Sequence, residues 1–211
     1  MADHDAQAAF VAARYRDLGY TLGWSYLYTP RASLSACRAL TVGLNPGGRE
    51  DGGAQWSQEG GNAYRGERWH GAGAAMQRQM EALLDLLPYP EHEIASLQFV
   101  PFRSPSWATL ARRDEAIAVG DRLFRWVLEQ AAPELIVAVG RAVLGTRLPH
   151  LLGAAREPAG DVDLHWGEQR GECWRFGRGA RLVVLPHLSR YRIFGRGHDG
   201  ALAAALFGTG R

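Results

Sequence analysis

Short apolar runs alternate along this chain with longer segments whose apolar residues recur at helical spacing. Four apolar runs, within residues 35–48, 95–105, 135–140 and 181–187, are typical of buried strands. Helical spacing predicts helices over residues 5–19, 73–87, 114–130, 141–148 and 200–207. This alternation predicts an α/β fold in three αβα layers, with a mainly parallel, four-stranded central sheet.

Two segments lack this periodicity. A glycine-rich loop extends from the first predicted strand to about Trp69, and long loops of this kind often carry function. Residues 151–178 are polar and rich in Gly, Asp and Arg, which is consistent with an antiparallel hairpin or a flexible segment. Because 211 residues suffice for one sizeable core, we expect a single domain over residues 1–211.

Composition narrows the class of protein. The sequence has no apolar run of about 18 residues and carries charges where a signal peptide would be apolar, so we expect no membrane contact. We expect a cytoplasmic monomer, associated in bacteria with the nucleoid. Cys37 and Cys173 cannot form a disulfide framework or a four-thiolate metal site, and we expect both to be reduced and Cys37 to be buried.

Every one of the 24 basic residues is an arginine. High-GC coding explains the bias itself, but the chemical consequence holds regardless of its origin. No lysine side chain can form a Schiff base with a sugar, and no P-loop lysine can bind a nucleotide phosphate. The net charge of +2 is only a weak indication of an anionic partner.

Polar residues follow three of the four predicted strands, at the carboxyl ends where parallel sheets bind ligands. They are Asn45 in Gly-Leu-Asn-Pro-Gly-Gly, Gln98 in Gln-Phe-Val-Pro, and His187 after Leu-Pro. Taken singly, Asn45 is equally typical of a strand-to-loop turn, and His187 more typical of a structural histidine. The order and spacing of these segments are more informative than any one of them.

Together the segments resemble the motifs of the uracil-DNA glycosylase superfamily. Gly43, Asn45, Pro46 and Gly47 are similar to the Gly-x-Asn-Pro-Gly motif of its mismatch-specific and single-strand-selective branches. At the other end of the chain, a second motif is similar to the superfamily's C-terminal His-Pro-Ser loop, through His187 and Ser189, with Leu188 in place of the proline.

Two further segments extend the resemblance to roughly residues 39–192. The second predicted strand resembles the family's asparagine-bearing strand and places Gln98 where that asparagine reads the base. Residues 135–145 resemble the third strand of the family and the helix after it. The resemblance implies a monofunctional DNA glycosylase that binds DNA and needs no cofactor or metal. Such an enzyme hydrolyses the N-glycosidic bond of a damaged, deaminated or modified base flipped out of the helix, and it leaves an abasic site.

The resemblance also implies roles for individual residues. Asn45 would hold the attacking water, and His187 would stabilise the negative charge of the departing base. Gln98, Gly43 and Leu44 would form the base pocket. The base would stack on Tyr64 or Trp56, of which we favour Tyr64 because glycines flank its segment, although either ring would equally fit core packing.

DNA contacts are expected in the loop after His187. Ser189 would bind phosphate, and Arg190, Tyr191 and Arg192 would enter the helix where the nucleotide leaves, although a solvated loop has the same composition. Further phosphate contacts are expected from Arg103, Arg196 and Arg141.

Gln98 is the departure from the family that bears on specificity. Its side chain is one methylene longer than asparagine, which puts strict uracil specificity in doubt. Hypoxanthine or a modified pyrimidine of phage DNA fits as well.

Three other functions remain open on these residues. A metal-dependent hydrolase is disfavoured because the histidines are scattered without His-x-His or His-Glu-x-x-His spacing. A nucleotide-binding regulatory module would use the glycine-rich loop, but the common phosphate-binding fingerprints are absent. A catalytically silent protein that binds damaged or single-stranded DNA has the same motifs as the enzyme, and base release distinguishes the two.

Overall fold

The computed structural model describes residues 3–67, 69 and 74–208, and Gly73, the predicted start of one helix, lies outside them. The helices are α1 His4–Asp17, α2 Ala63–Gly66, α3 Ala75–Leu86, α4 Arg113–Gln130, α5 Arg141–Leu152 and α6 Asp199–Phe207. The strands are β1 Trp24–Leu27, β2 Ala39–Gly43, β3 Ala54–Ser57, β4 Ile94–Gln98, β5 Leu135–Val139, β6 Ala155–Arg156, β7 Val162–Asp163, β8 Arg170–Phe176 and β9 Ala180–Leu185.

The strands form one mixed sheet in the order β3-β1-β4-β2-β5-β9-β8-β6, with β7 paired to β8 outside that path. The four predicted strands are its centre: β4, β2, β5 and β9 are adjacent and parallel. The α/β class is confirmed, but the prediction of four strands is wrong, because the described sheet has nine. The additional strands extend both sides of the parallel block.

Each side is extended by a different kind of segment. Residues 151–178 contain β6, β7 and β8, which pair antiparallel, so the hairpin alternative is the one observed. On the other side, β1 pairs antiparallel with β4, and β3 pairs parallel with β1. The sequence did not predict β1 and β3 because each has only four residues and neither has a long apolar run.

The parallel strands are buried on both faces by helices, and alternate residues enter two separate hydrophobic clusters. Leu40, Val42, Ile136 and Ala138 belong to the cluster covered by α1, α4 and α5. Residues 39, 94, 135, 137, 139, 183 and 185 belong to the cluster covered by α3 and α6. Cys37 and Cys173 are both buried and free, as expected for Cys37. None of the helices in the described ranges is both long and apolar enough to cross a bilayer.

The amino edge of the parallel block is held by ion pairs. Arg38, which precedes β2, donates to Glu134 before β5 at 2.9 Å and to Glu93 before β4 at 3.1 Å. Its guanidinium also lies 4.9 Å from the ring centre of Tyr89. The carboxyl edge of the same strands carries the predicted site.

Candidate active site

Four neighbouring strands end level with one another at the carboxyl edge. Gly43, the last residue of β2, is in register with Gln98 of β4 on one side and Val139 of β5 on the other. Val139 is in register with Leu185 of β9. Because neighbouring strands lie about 4.8 Å apart, the ends of β2 and β9 are separated by roughly 10 Å, which is about the size of a nucleotide. The segments carrying the predicted residues therefore converge.

Gly140 forms the floor between two of these segments. A Cβ added there would lie 3.9 Å from both the Cβ of Leu44 and the Cδ2 of His187. Its backbone φ is +117°, in the left-handed region that favours glycine. Gly140 also donates its N–H to the carbonyl of Leu185, which ties the turn before α5 to the end of β9. Leu44 and His187 thus lie on either side of one glycine.

The amide of Asn45 is oriented by the segment that follows β4. Its Nδ2 donates to the hydroxyl of Ser104 at 3.0 Å, to the carbonyl of Phe102 at 3.3 Å and to that of Pro46 at 3.1 Å. Ser104 is 3% exposed, and its own hydroxyl donates to the carbonyl of Ser106. Within the described residues the Oδ1 of Asn45 accepts no hydrogen bond, so this oxygen is available to hold a water.

The imidazole of His187 is oriented by the next turn of chain. Its Nδ1 lies 2.7 Å from the Ser189 hydroxyl and accepts the Ser189 backbone N–H at 3.3 Å. Although the residue is exposed, desolvation of its ring and then the positive charge of Arg190 lower the pKa of His187 below its ordinary value. A neutral ring whose Nδ1 accepts carries its proton on Nε2, which has no partner in the part of the chain that the structure describes.

Gln98 lies flat against Gly43 and beside two phenols. A Cβ on Gly43 would come within 2.4 Å of the Gln98 Oε1, so only glycine leaves room for the amide. The Nε2 of Gln98 donates to the Tyr64 hydroxyl at 3.1 Å. Burial raises the pKa of Tyr28 to about 12 and raises that of Tyr64 further, so both phenols are neutral. No described donor reaches the Oε1 of Gln98.

The position of Tyr64 depends on Asn62, a residue that the sequence analysis missed. Asn62 caps α2 by accepting the Tyr64 backbone N–H at 3.1 Å, and its Nδ2 donates to Ser96 of β4 at 3.0 Å. The Tyr64 ring lies 5.3 Å from that of Tyr28 and 5.4 Å from that of Trp69. An Asn directly before a short helical segment is an N-cap signal that could have indicated this arrangement.

Trp56, the alternative stacking residue, lies elsewhere. It is 6% exposed, stacks on Tyr26 at 4.9 Å, and donates its indole N–H to His4 at 3.1 Å. These contacts belong to the cluster under α1 and α4, on the face of the sheet opposite to Gln98. Of the two aromatic residues, only Tyr64 touches the candidate site.

Arg103 lies under the glycine-rich loop instead of extending into solvent. Its guanidinium donates to the Gly47 carbonyl and fills the space where a Cβ of Gly52 would be. The arrangement holds the loop after Asn45 against the segment after β4. Arg141 is also engaged, because it lies 2.7 Å from a carboxylate oxygen of Glu172.

The loop after His187 presents arginines to solvent. Arg190, Arg192 and Arg196 are exposed, and in the described ranges none of them forms a salt bridge. Ser189 is exposed as well. Tyr191 differs from its neighbours, because its ring packs partly buried against the cluster under α3 and α6.

The chemistry available at this edge is that of amides, an imidazole and water. Among the described residues, no three His, Cys, Asp or Glu side chains are grouped so that they could hold a metal ion. No protein-family model matches the chain, and no curated protein matches it. The assignment of a function therefore depends on the geometry of these side chains.

Proposed function

We propose that this protein is a monofunctional DNA glycosylase that removes a deaminated or modified base flipped out of DNA, as the resemblance to the uracil-DNA glycosylase superfamily implies. We further propose that the protein is a monomer and acts on DNA in the cytoplasm. The observation that carries it is that three oriented polar atoms at one edge of the sheet have no hydrogen-bond partner among the described residues. These are the Oδ1 of Asn45, the Oε1 of Gln98 and the Nε2–H of His187.

The arrangement suits hydrolysis of an N-glycosidic bond. Heterolysis leaves the bonding electron pair on the base and positive charge on the sugar, so a fixed N–H donor on the base side lowers the barrier. His187, neutral with its proton on Nε2, supplies that donor. Water held by the Oδ1 of Asn45 then adds its oxygen to the sugar carbon, and its proton passes to solvent or to the released base. Without lysine, the abasic site remains intact.

Gln98 indicates which edge of a base the pocket would recognise. Its Nε2 donates to the Tyr64 hydroxyl, and its Oε1, which no described donor reaches, can accept a hydrogen bond from a base. An acceptor pairs with the ring N–H of uracil and hypoxanthine, and it can also pair with the exocyclic amino group of cytosine and adenine. A buried polar group left unpaired is costly, so we expect bases that present no donor at this edge to be rejected, while uracil and hypoxanthine satisfy the contact.

Base release from defined oligonucleotides tests the proposal. Each oligonucleotide carries uracil, hypoxanthine, cytosine or adenine at one position, and alkali then cleaves any abasic product. We expect product from a base of the first pair. Asn45→Ala and His187→Ala should each lower the single-turnover rate on the order of 100-fold to 1,000-fold, while DNA affinity changes far less.

The matched control is His92→Ala. The His92 side chain is 77% exposed and precedes β4 at the amino edge, so this variant should keep the full rate. Equal rates for Asn45→Ala, His187→Ala and the unsubstituted protein would place the active site elsewhere. DNA binding without release of any base would instead identify a silent DNA-binding protein.

A further inference from the structure

The hairpin between β7 and β8 carries the large hydrophobic side chain that the described structure leaves exposed. Trp166 lies at its tip and is 36% exposed. A partly exposed tryptophan leaves apolar surface in contact with water. The residues around it decide whether that surface can bind a ligand.

The tip is rigid. Asp163 accepts the backbone N–H of His165 at 2.8 Å, and the turn is closed by the bond from the Gln169 N–H to the Trp166 carbonyl at 3.0 Å. Leu164, fully buried in the cluster under α3 and α6, anchors it. These contacts fix the backbone that carries the indole, which reduces the entropy lost on binding.

The tip lies at the same edge of the sheet as His187. β8 runs antiparallel to β9 with Glu172 opposite Val184, and continuing that register places the start of β8 beside Pro186. Trp166 lies beyond that start. The loop after His187 also contacts the tip directly, because Arg196 donates to the His165 carbonyl at 2.6 Å.

The charges around Trp166 favour an anionic partner. The Arg196 guanidinium lies 5.0 Å from the centre of the indole ring, and Arg190, Arg192 and Arg196 form no salt bridge in the described part of the chain. Of the two carboxylates at the tip, Asp163 accepts the His165 N–H and lies 3.9 Å from the Arg170 guanidinium, and Glu168 is exposed. An exposed aromatic ring beside an arginine that forms no salt bridge with a described carboxylate is a combination with which proteins bind single-stranded nucleic acid, because every nucleotide has a base that stacks and a phosphate that pairs.

We propose that Trp166 and Arg196 bind a single-stranded stretch of DNA beside the nucleotide that enters the site, with a base stacked on the indole and its phosphate on the guanidinium. The link to the active site rests on the proposed function; the binding surface itself does not. Stacking recognises any base, so this contact would favour unpaired DNA without selecting a sequence.

The test measures the affinity of the full chain for a fluorescent single-stranded oligonucleotide of mixed sequence and for its duplex. Trp166→Ala should weaken single-strand binding by about 5-fold to 150-fold, the range for loss of one stacked base, and leave duplex binding unchanged. Trp166→Phe, which keeps an aromatic face, should lose much less. Arg196→Ala should lower the salt dependence of binding by about one released counterion.

Tyr89→Ala is the matched control, since Tyr89 stacks on Arg38 at the opposite edge of the sheet. Its affinity for single strands should not change, and thermal unfolding should show that all variants fold. A second readout maps the contact: 5-iodouracil in the oligonucleotide should cross-link to the tryptic fragment of residues 157–170, which contains Trp166.

The outcomes separate this inference from the proposed function. Unchanged single-strand affinity in Trp166→Ala, or an equal loss on duplex, overturns the inference even if the unsubstituted protein releases a base. Absence of base release together with binding that depends on Trp166 overturns the glycosylase and supports the inference. Equal losses in Trp166→Ala and Tyr89→Ala also overturn it.

Discussion

Substitution of Gly43 by alanine should disable the site through a single methyl group. That Cβ would lie 2.4 Å from the Oε1 of Gln98 and 2.9 Å from its Nε2, whereas ordinary contact begins at 3.4 Å. The amide has little room to retreat, because Gln98 is 5% exposed and hydrogen-bonded to Tyr64. It must move by about 1 Å, and a displacement of that size at a reacting site costs about 100-fold in rate.

The assay is a single-turnover rate on the best substrate, measured for Gly43→Ala, Gln98→Ala and the double variant. Because the methyl group acts through the Gln98 side chain, its effect should largely vanish once that side chain is removed. Overpacking should also lower the free energy of unfolding of Gly43→Ala by about 1–3 kcal/mol.

Gly200→Ala provides the control for this prediction. A Cβ at Gly200 meets nothing within 4 Å, and the residue lies in α6, so the substitution should leave the rate unchanged and stabilise the fold by about 0.5–1 kcal/mol. A normal rate in Gly43→Ala would refute the reasoning. So would a penalty that adds in full to that of Gln98→Ala.

Two further predictions concern the orientation of the side chains that we propose to be catalytic. Ser104→Ala should lower the single-turnover rate by about 5-fold, since one hydrogen bond to the Asn45 amide contributes about 1 kcal/mol. Ser104→Thr keeps the hydroxyl and should restore the rate. A parallel loss of DNA affinity in Ser104→Ala would mean that Ser104 is merely structural. Arg190→Ala removes a positive charge that disfavours the imidazolium, so the pKa of His187 should rise, and the acid limb of the rate profile should move to higher pH. Histidine resonances followed by NMR would show the shift, and an unchanged titration would contradict it.

The centre of the sheet could be predicted from the sequence because its strands are continuous apolar runs. β5 and β9 are buried on both faces, and such segments carry their own signal. β1 and β3 could not be predicted, since four-residue strands acquire their structure from the neighbours with which they pair. The order of the strands likewise depends on pairing between residues distant in sequence.

The candidate site was predictable where its residues directly follow a strand, as Asn45 and His187 do. Flanking glycines favoured Tyr64 over Trp56, but the sequence could not exclude Trp56, because both are aromatic residues of one loop and only the pairing of β3 with β1 separates them. Ser104 was missed for a related reason. Its contact with Asn45 exists because residues 99–104 run beside residues 43–46, with the Phe99 N–H bonded to the Gly43 carbonyl at 2.8 Å.

The ion pairs of Arg38 at the amino edge bear on how this protein can change over time. They join the chain before β2, β4 and β5 on the side of the sheet remote from Asn45 and His187. Substitutions in the loops at the carboxyl edge therefore leave these contacts intact. Mutations that alter the ligand can accumulate there with less risk of falling below the stability threshold, which makes this edge the part of the molecule where new specificities are most accessible to selection.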